Sequence, residues 1–262
     1  MSSSYPIVYA CFSTDVIHEG HMNIIRTAKK YGHVIIGVMS DEAMVSYYHF
    51  PTISFEERIA MIKDIPDVDE VVVQETVSYV AMLEKIRPDY VIHGDQWHNG
   101  PWGKLREELI LGLSAYGGKL IEVTYTLNDE VLKCEKKIRE KLMMPEYRRK
   151  RLRQLLGIRP IVKALEVHSG LTGLIVEKTI IERGGKFDQF DAMWISSLCD
   201  STEKGKPDIE VVDMTSRFRT INDIMEVTTK PIIFDGDTGG LTEHFAPSRA
   251  TYHALSITRL TF

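Results

Sequence analysis

The chain has 262 residues, of which 44% are hydrophobic and 26% are charged, a balance typical of a globular protein. Its formal net charge is −5, which disfavours nucleic acid as the main partner. The first residues lack a basic region followed by an apolar run, and no apolar stretch is long enough to span a bilayer. The three cysteines are widely spaced, without zinc or disulfide patterns. We therefore expect a cytoplasmic protein with no membrane partner; whether it forms a homo-oligomer stays open.

The first half alternates apolar, β-branched segments with amphipathic ones. The pattern predicts strands at 5–12, 33–39, 68–74, 90–93 and 119–125. It predicts helices at 20–31, 41–48, 78–86, 103–116 and 129–142. Another predicted helix is opened by a capping box from Ser54 to Glu57 and carries Arg58, Ile59, Met61 and Ile62. Strict alternation of this kind indicates a parallel α/β sheet with right-handed crossovers.

The composition changes near Met143. The basic segment 145–153 is helix-like, and we interpret it as a solvated surface or interdomain helix, with nucleic-acid binding as the alternative. A second α/β pattern follows, with strands predicted at 161–167, 192–196 and 231–234 and helices at 171–183 and 218–226. Three strand–helix units are too few to close an eightfold barrel.

The turn after the first strand carries His18-Glu19-Gly20-His21 and runs into the first helix. The unpaired N–H groups of a helix's first turn, together with its dipole, favour an anion there. Two imidazoles can donate to the same anion, and Gly20 lets a ligand approach the backbone. The motif predicts a nucleotide phosphate site; the alternative is a capping or surface pair of histidines.

A second polar turn, Gly94-Asp95-Gln96-Trp97, follows the fourth predicted strand. In parallel α/β sheets, ligands bind beyond the carboxyl ends of the strands, where the strand order reverses. Both turns fall on that edge, so each supports the other as part of one site.

Two segments carry a family resemblance. The first, VYACFSTDVIHEGHMNIIRTAKKYGHVIIGVMSDEA, resembles the cytidylyltransferases of the HxGH nucleotidyltransferase superfamily. The second, VIHGDQW at residues 91–97, resembles that family's strand-four motif, which is usually Gly-Asp-Asp-Trp. The likeness is strongest to the cytidylyltransferase domain that is fused to phosphoenolpyruvate mutase in phosphonate biosynthesis.

The second half continues this resemblance. LRQLLGIRPIVKALEVHSGLTGLIVE is similar to the start of a phosphoenolpyruvate mutase domain, and MWISSLCDS and FDGDTGG resemble its substrate and magnesium segments. The resemblance implies an α/β fold: a Rossmann-like parallel-sheet nucleotidyltransferase domain, then a partial (β/α) barrel-like domain. We predict boundaries of 1–142 for the first domain, 143–158 for a basic linker helix, 159–245 for the mutase-like part and 246–262 for a divergent tail.

The resemblance also implies a reaction for the first domain. A phosphonate or phosphate oxygen attacks the α-phosphorus of CTP and releases pyrophosphate, with Mg²⁺ on the triphosphate. The implied catalytic residues are His18, His21 and Arg58. The implied nucleotide-binding residues are Thr14, Asp15, Gly20, His93, Gly94 and Asp95. A plain turn residue is the alternative for Thr14 and Asp15, a helix-surface ion pair for Arg58, and a helix cap for Asp95.

For the mutase-like part, the resemblance implies a substrate pocket at Trp194, Ser196 and Asp208. It implies magnesium ligands at Asp235 and Asp237, and an Asp-x-Asp pair at a strand end suits a hard cation. The alternative for this pair is a solvated turn. The likeness ends near His244-Phe245, and the family's later Glu-Asp-Lys segment and arginine have no counterpart. We therefore expect no mutase turnover from this chain.

Two features depart from the cytidylyltransferase pattern. The family's lysine after the second helix is missing, since the chain reads Tyr47-Tyr48-His49-Phe50 there. Its Gly-Ile-Ser-Ser/Thr-Thr segment should lie at 126–132, where the chain reads TLNDEVL. Three functions stay open: cytidylyl transfer to a small phosphonate, conversion of phosphoenolpyruvate to phosphonopyruvate, and nucleotide binding without turnover.

Overall fold

The computed structural model describes residues 5–13, 15–46, 50–98, 102–124, 129–183, 186–237 and 258–260. The chain divides into two compact units. The first holds residues up to Lys136 together with Ile181–Asp188, and the second holds the remainder from Lys137 onward. The boundaries predicted at 142, 158 and 245 stay predictions.

The first unit is built on a five-stranded parallel sheet in the order β3-β2-β1-β4-β5. Its strands are β1 (Ile7–Phe12), β2 (His33–Met39), β3 (Glu70–Gln74), β4 (Tyr90–Gly94) and β5 (Lys119–Val123). The two central apolar strands are almost entirely buried, as is usual for a parallel sheet covered on both faces. The predicted Rossmann-like α/β fold is confirmed.

Helices connect these strands along the chain, and a last helix follows β5. They are α1 (Glu19–Tyr31), α2 (Asp41–Ser46), α3 (Phe55–Lys63), α4 (Val80–Ile86), α5 (Trp102–Ser114) and α6 (Asp129–Met143). Two apolar clusters form the core: one contains Val8, Ile25 and Ile36, and the other contains Tyr9 and Leu109. The strands predicted at 5–12 and 68–74 begin two residues later than expected, and the other bounds shift by similar amounts.

The strand order reverses between β1 and β4. Val8 pairs with Tyr90 and Tyr9 with Val91, so the carboxyl ends of these neighbouring strands lie level with one another. Such a reversal opens the crevice in which α/β proteins bind ligands. The fold thus brings the turns after β1 and β4 to one place, as expected from the sequence.

The second unit contains a four-stranded parallel sheet in the order β11-β10-β9-β6. Its strands are β6 (Ala164–Glu166), β9 (Ala192–Ile195), β10 (Ile232–Asp235) and β11 (Thr258–Leu260). Its helices are α7 (Pro145–Ile158), α8 (Gly170–Lys178), α9 (Ser197–Glu203) and α10 (Met214–Val227). Helices α8 and α10 pack on a core that includes Met193, Ile224 and Phe234.

The second half required three corrections. The helix predicted to reach residue 183 ends at Lys178, and the chain then forms an antiparallel hairpin of β7 (Ile181–Arg183) and β8 (Lys186–Asp188). Helix α9 was not predicted. The basic helix α7 is not simply solvated: Arg148 and Arg151 are buried in the second unit, and Arg148 donates to the carbonyls of Met225 and Thr228.

Among the described helices, none is long and apolar enough to cross a bilayer.

Candidate active site

The two motif histidines accept hydrogen bonds from backbone N–H groups at the start of α1. His18 is the N-cap of the helix, and its Nδ1 accepts from the backbone N–H of Gly20 at 3.1 Å. The Nδ1 of His21 accepts from the backbone N–H of His18 at 3.4 Å, which completes a capping box. With Nδ1 accepting, the proton of each neutral ring resides on Nε2. Both imidazoles therefore present Nε2–H as a donor at the helix N-terminus.

Neighbouring atoms restrict the two rings further. The ring centroids of His18 and His21 lie 4.0 Å apart, and Phe12 packs edge-on against His21 at 4.9 Å. A Cβ on Gly20 would lie 3.0 Å from Cε1 of His18, so glycine leaves just enough room for that ring. The turn is therefore tightly packed, and the close approach of a ligand to the backbone at Gly20 stays a prediction.

Asp15 and Arg58 form a buried ionic network behind this turn. The Arg58 side chain is fully buried; its Nη1 donates to Met39 O at 2.6 Å and its Nη2 donates to Asp41. Its Nε lies 3.8 Å from Oδ1 of Asp15, whose Oδ2 accepts from the N–H of Thr52. The surface ion pair considered for Arg58 is thus wrong. Its catalytic role stays a prediction, and Thr14 lies outside the described residues.

The end of β4 presents a neutral imidazole. Nδ1 of His93 donates to Gly94 O at 2.7 Å, which leaves Nε2 as an acceptor, and the ring stacks on Trp97 at 3.5 Å. Burial lowers the pKa of His93 to about 4, although the Gly94 carbonyl and Glu122 oppose the shift. Half-buried Asp95 opens the short turn Asp95–Trp97. The nucleotide-binding roles of these residues stay predictions.

An ion pair that was not predicted from the sequence stabilises the turn after β4. Glu122 on β5 accepts from both Nε and Nη2 of Arg106, at 2.8 and 2.7 Å, and from the indole of Trp97 at 2.9 Å. Hydrogen bonding from Arg106 is the main cause that lowers the pKa of Glu122 to about 2. No local signal reveals this contact, because Arg106 and Glu122 are 16 residues apart.

The first departure lies mostly outside the described residues, at 47–49, and the second lies partly outside them, at 126–128. The described part of the second departure begins at Asp129 and Glu130, which are exposed in the first turn of α6. Acidic side chains stabilise a helix there through its dipole.

The mutase-like residues lie at the carboxyl edge of the second sheet or close to it. Trp194 is half-buried on the central strand β9, and Ser196 caps α9 by accepting from the N–H of Cys199 at 3.3 Å. Asp208 is exposed in a turn, and its charge helps to raise the pKa values of Cys199 and Asp237. Their pocket roles stay predictions.

The acidic pair at the end of β10 is already hydrogen-bonded. Asp235 accepts from the hydroxyl of Ser197 at 3.2 Å, and Asp237 accepts from Nη1 of Arg217 at 2.8 Å. Burial is the main cause that raises the pKa of Asp237. Magnesium takes about six oxygen ligands, and no group of three or more potential ligands occurs in the part of the chain described. These residues alone do not complete a magnesium site, so the metal role of the pair stays a prediction.

Arg217 on α10 organises this edge and was missed from the sequence. Besides Asp237, it donates to Asp235 O at 2.9 Å, lies 3.4 Å from Oδ2 of buried Asp200, and stacks over Phe234. An arginine in an amphipathic helix gives no sequence signal that distinguishes a buried partner from a solvated face.

Comparison with known proteins agrees with this arrangement. Residues 9–154, more than half of the chain, match the family described as Cytidylyltransferase-like, and residues 152–252 match Phosphoenolpyruvate phosphomutase. The chain is 32% identical over 103 residues to FAD synthase of Ferroglobus placidus, covering 39% of this chain and 66% of that protein. It is 33% identical over 91 residues to ethanolamine-phosphate cytidylyltransferase of Arabidopsis thaliana, covering 32% of this chain and 21% of that protein.

Among solved structures, a phosphoenolpyruvate phosphomutase from Streptomyces platensis subsp. rosaceus matches with 25% identity and a TM-score of 0.36, covering 42% of this chain and 35% of that one. The chain spans less than two thirds of the length of these three proteins. On the family match and the motif geometry, the chain belongs to the cytidylyltransferase-like family, with a phosphoenolpyruvate mutase-like domain after it.

Proposed function

We propose that the first unit transfers a cytidylyl group from CTP to a small phosphonate or phosphate and releases pyrophosphate. The observation that carries this proposal is the pair of Nδ1 contacts, which leave the proton of each neutral motif histidine on Nε2 at the start of α1. The site lies where the strand order reverses, the place at which an α/β sheet binds nucleotides.

The residues of the turn would act by position and charge. An acceptor oxygen forms a bond to the α-phosphorus while the bond to the β-phosphate oxygen breaks, and pyrophosphate carries away the electron pair. Donors fixed before the reaction stabilise the negative charge that develops on the phosphate oxygens. His18 and His21 would supply these donors, and the positive end of the α1 dipole would add to them. Mg²⁺ would neutralise charge on the triphosphate when bound.

The acceptor class is supported by the relatives and by the second half of the chain. One relative is named for cytidylyl transfer to ethanolamine phosphate. The match of residues 152–252 to phosphoenolpyruvate phosphomutase points toward a phosphonate, and 2-aminoethylphosphonate and 2-hydroxyethylphosphonate are the candidates.

Pyrophosphate release tests the proposal. The full chain is incubated with CTP and Mg²⁺, with 2-aminoethylphosphonate, 2-hydroxyethylphosphonate or ethanolamine phosphate as the acceptor. We expect acceptor-dependent release from the wild type, and its loss in His18→Ala and His21→Ala. His33→Ala is the matched control, since that exposed histidine starts β2 at the opposite edge of the sheet. Equal release by all three variants would contradict the proposal.

Two other functions would give different experimental results. CTP binding without pyrophosphate release would indicate a nucleotide-binding protein without turnover. This function is favoured by the absence of the family's lysine after the second helix and of its Gly-Ile-Ser-Ser/Thr-Thr segment. Phosphonopyruvate formation from phosphoenolpyruvate, detected with a coupled decarboxylase, would indicate mutase activity. The family match over 152–252 is the observation that favours this second candidate.

A further inference from the structure

One arginine joins four segments at the carboxyl edge of the first sheet. Arg58 lies on α3; it donates to Met39 O at the end of β2, and to the carboxylate of Asp41 at the start of α2. Its Nε faces Oδ1 of Asp15, in the turn that leads from β1 to His18. The same carboxylate accepts from the N–H of Thr52, which ties the segment before α3 to this turn.

The side chains of Arg58 and Asp15 are both buried, and this burial limits what they can contact. The Arg58 side chain is 0% exposed and the Asp15 side chain is 4% exposed. A buried charge is tolerated only when it is paired, and the two aspartates provide the opposite charge. Nη1 and Nη2 donate to protein oxygens, Nε faces Asp15 without a hydrogen bond, and the guanidinium lies over the Phe55 ring. It is therefore placed to hold the backbone rather than to contact a nucleotide.

We infer that Arg58, held between Asp15 and Asp41, is a positioning residue that fixes the turn carrying His18. This inference rests on the proposed nucleotidyl transfer for its functional consequence, and it adds Asp41 to the residues on which the site depends. The planar fork of arginine serves Met39 O and Asp41 with two nitrogens while Nε faces Asp15. A lysine offers a single charged nitrogen and cannot make this set of contacts.

A double-mutant cycle tests whether Arg58 acts through Asp15. The variants are Arg58→Gln, Asp15→Asn and the double variant, each titrated with CTP and assayed for kcat and KM. A displaced turn should weaken CTP binding or kcat/KM by about tenfold to a hundredfold in each single variant. Residues that act through one contact are coupled, so the double variant should be no worse than the more damaging single one. Fully additive losses would overturn the inference, as would full activity in Arg58→Lys.

A second measurement needs no nucleotide. Amide hydrogen exchange of the ligand-free chain should rise at residues 15–22 in Arg58→Gln, while the amides of β5 keep their protection. Asp41→Asn should raise exchange at the same residues, but by less. The Asp41 side chain is 37% exposed, so this variant should fold even if Arg58→Gln does not. Lys29→Gln is the matched control, because it removes the Lys29–Asp69 ion pair near the other end of α1.

The two measurements separate the inference from the proposed function. A wild type that neither binds CTP nor releases pyrophosphate defeats the proposed function, and hydrogen exchange still decides the role of Arg58. Unchanged exchange at residues 15–22 in both Arg58→Gln and Asp41→Asn would overturn the inference even if CTP is turned over.

Discussion

At the scale of single residues, local contacts of the motif could be predicted and distant ones could not. His18, Gly20 and His21 are neighbours in sequence, so strand, turn and helix chemistry together predict where they lie. Arg58 meets Asp15 across 43 positions, and its complete burial follows from how three segments pack around it. A sequence pattern distinguishes a helix from a strand, but it does not say which charged side chain the fold encloses.

Gly20→Ala should impair the site without unfolding the protein. The added Cβ would lie 3.0 Å from Cε1 of His18, so the imidazole must shift by a few tenths of an ångström. Displacement of a donor at a phosphate site should weaken CTP binding by about tenfold. Titration calorimetry with CTP checks this. Gly157→Ala is the control, because the Cβ it would gain meets no described atom within 4 Å beyond its chain neighbours and the backbone of its own helix. A similar loss in both variants would contradict the explanation.

His93 should make the first unit sensitive to acid. Its pKa is about 4 in the folded chain against 6.5 for an ordinary histidine, because burial disfavours the charged ring. Between these values the unfolded chain binds the proton, so the free energy of unfolding falls as the pH drops from 6.5 toward 4. The loss should be about 3 kcal/mol at the lower end.

His93→Phe keeps a ring to stack on Trp97 and removes this titration. Urea unfolding followed by tryptophan fluorescence between pH 4 and pH 7 compares the two proteins. We expect the free energy of unfolding of the variant to depend less on pH within that window. Equal pH dependence of wild type and variant would show that His93 is not held neutral by burial.

At the scale of elements, helix starts with strong capping signals could be predicted. The capping box from Ser54 to Glu57 opens α3, with Oγ of Ser54 accepting from the N–H of Glu57 at 3.2 Å. The end of α8 was predicted five residues too late, because the hairpin of β7 and β8 continues its apolar sequence. Helix α9 was missed because its residues, SLCDSTE, lack a helical apolar period.

Ser54→Ala should destabilise the first unit by about 1 kcal/mol, the usual cost of a lost N-cap. The side chain of Glu57 would keep its bond to the N–H of residue 54 but lose the bond to Oγ. Chemical denaturation measures the change. Ser114→Ala, which removes a hydroxyl bond to Leu111 O at the end of α5, should change the free energy of unfolding less; the reverse order would refute this assignment of the cap.

At the scale of the whole molecule, the alternation of strands and helices along the chain predicted the α/β class but not which strands pair with each other. Right-handed crossovers and short connections restrict the possible orders, and the observed order β3-β2-β1-β4-β5 brings both motif turns to one crevice. The second unit has three strands where they were expected and a fourth, β11, in a segment with only a weak apolar pattern. The sequence pattern of β11 alone did not predict a strand; the strand forms by pairing with β10.

The two units should unfold separately, because each has its own apolar core. Differential scanning calorimetry should resolve two transitions. Ile36→Ala removes a fully buried side chain from the first core, and Phe234→Ala removes one from the second, each costing about 2 to 5 kcal/mol. Each substitution should lower one transition and leave the other in place. A single transition that both substitutions shift would contradict separate unfolding.

The central claim is that the turn from His18 to His21 binds a nucleotide triphosphate. Isothermal titration calorimetry of CTP into the wild type and into the His18→Ala/His21→Ala double variant tests it most directly. Removing two donors to a charged phosphate should weaken binding by about tenfold or more, so we expect one site in the wild type and a much weaker one in the variant. Equal affinity in the two proteins would contradict the assignment of the site.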